Sequence, residues 1–113
     1  MTLPLRELGI RQSKAELIAI HVTHPSAVVV TEGKFLATCV NNATGDYTIT
    51  INSPALRDLF VVGMTSHVEH LVGAVITVTS STVRVIWETS AANTDTNCNF
   101  DIALLAFYRA EQN

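Results

Sequence analysis

Across residues 45–51 the chain alternates strictly. Tyr47, Ile49 and Ile51 fall on one side, and Asp46, Thr48 and Thr50 on the other. A period of two in β-branched and aromatic residues marks a strand with one buried face. Gly45-Asp46 ahead of it reads as a turn, because Gly takes positive φ freely and Asp can bond its own backbone. Ser53-Pro54 closes it, since Pro has no N–H to give a ladder.

The same pattern recurs along the chain. Residues 15–22 are apolar on both alternating sets and predict a strand buried on two sides. Ser13 and Glu16 stand at capping-box spacing and offer a helix as the alternative. The β-branched run from Ile18 to Thr23 favours the strand. Short strands follow at 27–31, ended by Glu32-Gly33, and at 35–40, closed by Asn41-Asn42. After Pro54, residues 55–58 predict a turn or a single helical turn, and 59–65 a strand around Gly63. Residues 67–71 read as a loop. The segments 73–79 and 82–89 predict a tight hairpin across Ser80-Ser81, with Val83, Val85 and Trp87 opposite Arg84, Ile86 and Glu88. A polar loop occupies 90–97. The last strand, 100–108, is mostly apolar and should lie centrally in its sheet.

About eight short strands with a turn every ~8–12 residues predict an all-β fold, an antiparallel β-sandwich or jelly roll. Nothing alternates strand with long helix, so a parallel α/β sheet is not expected. Residues 15–113 form the predicted sandwich domain. Residues 1–14 differ: Pro4 and Gly9 interrupt them, and charge is scattered among Leu3, Leu5, Leu8 and Ile10. They predict an extended N-terminal arm that is mobile alone and ordered against a partner, because burial gain and ordering entropy nearly cancel.

Composition changes the picture in one respect. The chain has 113 residues and is 48% apolar but only 15% charged, against about 25% charged in an ordinary soluble domain. Thr, Ser and Asn replace the missing charge. A neutral polar surface desolvates at lower cost than a charged one, which suits contact with other proteins. The net charge of −3, with no cluster of Arg or Lys, gives no footprint for nucleic acid. No signal-peptide pattern opens the chain and no apolar run reaches the ~18 residues of a membrane helix, so a membrane is not an expected partner. Cys39 and Cys98 lack zinc-like flanks and are expected to be free, buried thiols. The sequon Asn42-Ala43-Thr44 is read as an ordinary loop.

Candidate chemistry is thin. All four histidines fall in two matching pairs, His21-Val-Thr-His24 and His67-Val-Glu-His70. Metal is conceivable, but residues three apart on a strand face opposite ways, so the spacing assigns them to surfaces and loops. There is no nucleophile elbow and no Gly-rich phosphate cradle. Neither a catalytic residue nor a cofactor or metal is predicted. Trp87, Tyr47 and Tyr108 are expected in the core rather than on a sugar platform. The polar loop offers Asn93, Thr94, Asp95, Thr96 and Asn97 as a contact surface.

One resemblance runs through residues 28–108. The series Thr44-Gly45-Asp46-Tyr47-Thr48-Ile49-Thr50-Ile51, then Val83-Arg84-Val85-Ile86, then a polar loop with Asp95, then Phe100-Asp101-Ile102-Ala103-Leu104-Leu105-Ala106 resembles the small β-sandwich or jelly-roll domains of bacteriophage virions. Such domains occur as capsid cement (decoration) proteins and as head domains of tail fibres, often as trimers. The resemblance implies a non-enzymatic homo-oligomer, a trimer by preference, whose partner is the major capsid protein. Its place would be the virion, after assembly in the host cytoplasm. The chain begins without a fibrous shaft, which favours a cement subunit that binds across capsid-subunit joints. A tail-fibre or receptor-binding head that recognises host surface glycan is the alternative. The contact residues expected of either are Leu3, Leu5, Leu8 and Ile10 on the arm and the five residues of the polar loop.

Overall fold

The computed structural model describes residues 13–33, 35–53, 56–68, 70–91 and 94–109. The arm residues Leu3, Leu5, Leu8 and Ile10, and Asn93 in the polar loop, lie outside them. The described elements are all strands: β1 (Ser13–Thr23), β2 (Ala27–Glu32), β3 (Leu36–Ala43), β4 (Asp46–Asn52), β5 (Leu56–Ser66), β6 (Leu71–Val78), β7 (Thr82–Thr89) and β8 (Phe100–Arg109). They form two four-stranded sheets, ordered β2-β1-β8-β5 and β3-β4-β7-β6. Every pairing is antiparallel. The fold is therefore an antiparallel β-sandwich, and β8 lies inside its sheet, between β1 and β5, as its apolar run predicts.

The core follows from the alternation. Ile18, Ile20 and Val22 of β1 and Phe100, Ile102, Leu104 and Ala106 of β8 are buried from one side. Tyr47, Ile49 and Ile51 of β4 and Val83, Val85 and Trp87 of β7 are buried from the other. Each large side chain of this kind contributes roughly 1.5–3 kcal/mol by leaving water. Aromatic rings hold the sheets together: Phe100 stands 5.1 Å from Tyr47 and 5.3 Å from Trp87, centroid to centroid. The Tyr47 hydroxyl donates to the Cys98 carbonyl at 3.3 Å and accepts from the Cys98 N–H at 3.2 Å. A buried tyrosine needs such partners for its polar end.

The turn ahead of β4 is fixed from several sides. Gly45 has φ +73°, and a Cβ there would meet the Trp87 carbonyl oxygen at 2.6 Å. Only glycine allows both the conformation and the close backbone approach. Asp46, predicted on the polar face, is in fact buried. It can be, because Arg84 donates to both its oxygens, Nε at 3.0 Å and Nη2 at 2.6 Å, and Asn42 adds a third bond at 3.1 Å. Paired, hydrogen-bonded charge is the form in which a carboxylate is tolerated away from water.

Four local expectations give way to long-range pairing. Residues 56–58 are not a turn but the start of β5, where Leu56 pairs with Tyr108 and Asp58 with Phe107. The register shift between them absorbs Arg57 as an extra residue. Asn41 and Asn42 do not end β3 but belong to it, because Asn41 Nδ2 bonds the carbonyls of Ala43 and Asp46 and closes the turn from within the strand. Leu71 opens β6 instead of closing the loop before it. Ser13 and Lys14, predicted in the arm, pair with Arg109 and Tyr108 as the start of β1. That strand is buried on one face and not on two, since Leu17 on its other face is exposed. Cys39 and Cys98 are free and buried, and burial pushes both thiols up to about 11.

Candidate functional site: a His–Asp–His cluster on an apolar sheet face

The outward face of the β2-β1-β8-β5 sheet gathers what chemistry the described residues offer. In the ladders, Asp101 of β8 stands opposite His21 of β1 on one side and Thr65 of β5 on the other. His21 points away from the core because its neighbours Ile20 and Val22 point into it. His67 follows β5 immediately, and its N–H donates to the Asn99 carbonyl at 2.9 Å, which places it beside the start of β8.

The result is a carboxylate between two imidazoles. His21 Nδ1 lies 2.8 Å from Asp101 Oδ1, and His67 Nε2 lies 2.7 Å from Asp101 Oδ2. The two rings meet edge to face with centroids 4.9 Å apart. All three side chains are partly open to solvent. Partial burial works to raise the Asp101 carboxyl, but the hydrogen bonds and positive field of His21 and His67 outweigh it and hold its pKa below the ordinary value.

His24, the second member of the first pair, goes elsewhere. His24 Nδ1 reaches the Tyr47 hydroxyl at 2.7 Å, while its N–H donates to Asn99 Oδ1 at 2.9 Å. The first His-x-x-His pair is therefore split, with His21 in β1 and His24 in the turn after it. What sequence spacing missed is that the first members of both pairs meet on one aspartate. Only the register of β1, β8 and β5 brings them together, and no motif in the chain encodes it.

Next to the cluster the sheet is hollowed. Ala19, Gly63 and Ala103 line an open depression of about 440 Å³ together with Thr65 and Asp101. The small residues are the cause. Beyond it the face is apolar: Leu17, Val29, Phe60 and Val62 are all exposed, Phe60 at 54% and Val62 at 62%. Phe60 packs edge to face on Phe107, centroids 5.5 Å apart. An antiparallel sheet with one face on the core ordinarily turns polar residues to water on the other.

The polar loop is only partly available for contact. Thr96 N–H donates to the Trp87 carbonyl at 2.9 Å, and Asn97 Oδ1 accepts from the Gly45 N–H at 2.8 Å. These two residues tie the loop to β7 and to the β3–β4 turn. Thr94 and Asp95 are exposed, with Asp95 bridged to Glu88. Trp87 and Tyr47 are buried and Tyr108 half-buried, so the three do not form an exposed sugar platform. No family model, no curated protein and no solved structure matches the chain.

Proposed function

We propose that this chain is a non-enzymatic structural protein of a phage virion, a capsid cement subunit that assembles with copies of itself and binds across joints between capsid subunits. The observation that carries the reading is the outward face of the β2-β1-β8-β5 sheet. Leu17, Val29, Phe60 and Val62 stand in water on a sheet whose opposite face already forms the core. Large apolar side chains gathered in water on one sheet face are characteristic of protein contacts. Low charge adds to it, since few ionised groups need desolvation when the face is covered. Symmetric copies then multiply a modest interface, which is how a small domain holds a large shell. The resemblance of residues 28–108 to virion sandwich domains supplies the biological setting.

The test is sedimentation equilibrium of the full chain, paired with binding to purified capsids. The reading expects a closed oligomer, a trimer by preference, and saturable binding to the shell. A strictly monomeric chain that fails to bind capsids overturns it.

A further inference from the structure

We propose that His21, His67 and Asp101 bind one first-row divalent transition ion of the zinc type. The donor set decides the class of ion. Two imidazole nitrogens and a carboxylate oxygen are the ligands that zinc and its neighbours take. Calcium and magnesium want oxygen alone and are disfavoured by the two imidazoles.

Geometry allows it with little movement. The ligand atoms of the three residues all lie within 4.8 Å of one another. A tetrahedral ion with bonds of about 2.0–2.2 Å holds its ligand atoms about 3.3–3.6 Å apart. The pairs at 2.8 and 2.7 Å have to open by less than an ångström. Each group ends a partly exposed side chain, so rotation meets no packed core. Two of the three Cα positions are fixed by the β1–β8 ladder, and the third by the His67–Asn99 backbone bond.

Each imidazole now turns an N–H toward Asp101; on binding, that proton leaves to solvent and the nitrogen's lone pair goes to the ion, so the ion displaces the two hydrogen bonds to the carboxylate. Three protein ligands leave a fourth position, and the depression beside Asp101, lined by Ala19, Gly63 and Ala103, has room for water there.

The experiment is isothermal titration of the metal-free full chain with zinc chloride, using circular dichroism to check that each variant folds. One ion should bind per chain. His67→Ala and Asp101→Asn should each weaken binding by more than ~10-fold, since even residues that only support a ligand cost 10–100-fold. His70→Asn, at a backbone position of positive φ that Asn tolerates, should bind as the parent does. Calcium and magnesium should not compete. His21→Ala serves as a third variant if either of the first two fails to fold. Absence of stoichiometric binding, or binding that survives the loss of His67 and of Asp101, overturns the proposal.

Discussion

The Trp87 indole occupies the space that a side chain on Gly73 would need. A Cβ on Gly73 would stand 2.7 Å from Trp87 Cζ3 and 2.8 Å from Met64 Cε. Met64 can move, but Trp87 is buried against Phe100 and cannot. Gly73→Ala should therefore destabilise the fold by about 1–3 kcal/mol, the usual cost of overpacking. Urea denaturation measures it, and an unchanged midpoint would mean that the ring has somewhere to go.

Asp46 and Arg84 make stability depend on pH. The hydrogen bond from Arg84 lowers the Asp46 pKa most, burial works against it, and Asn42 lowers it further. The folded pKa lies below the unfolded value of about 3.9, so the unfolded chain binds the proton more readily. The pair's contribution is present above that pH and is lost as pH falls through the folded pKa. Arg84→Ala should lower stability at neutral pH by leaving a buried carboxylate short of partners. It should also flatten the acid limb of the stability curve. Parallel curves for parent and variant between pH 5 and about 2 would assign the acid loss to other groups.

The buried thiols should be inert. With pKa values near 11, Cys39 and Cys98 hold almost no thiolate at neutral pH, and thiolate is the reactive form. Reductant should leave the melting temperature unchanged. A disulfide-exchange reagent should titrate both cysteines only after denaturant is added. Rapid labelling of the native chain would place at least one of them at the surface.

Most of the fold is written locally. The alternation of Tyr47, Ile49 and Ile51, and of Val83, Val85 and Trp87, is enough to assign both strands and their buried faces. Where the reading slips, at 41–42 and 56–58, short-range turn preferences are overruled by partners far along the chain. Tyr108 and Phe107 recruit residues 56–58 into a ladder that nothing nearby predicts. The His–Asp–His cluster fails to show for the same reason. His21, His67 and Asp101 are separated by dozens of residues, and only strand order makes them neighbours. Asp46 looks like a solvated turn residue because its partner Arg84 is 38 positions away.

The core assignment has a sharp test. Ile49 is fully buried between the sheets. Ile49→Asp would place a carboxylate there without a partner, and an isolated buried charge is not tolerated. The variant should not fold, as circular dichroism and loss of cooperative melting would show. A soluble variant with a sharp melt would require β4 to face the other way.

The proposed function requires the apolar face of the β2-β1-β8-β5 sheet to be a contact surface in a virion. The direct measurement is the copy number of this chain in purified particles, by quantitative mass spectrometry against the major capsid protein, for the parent and for Phe60→Lys. Phe60 is exposed, so the substitution should leave folding intact while placing a charge in the interface. The parent should be present at a copy number comparable to that of the capsid subunit, and Phe60→Lys should be depleted severalfold. Absence of the parent chain from particles, or equal occupancy by Phe60→Lys, would contradict it.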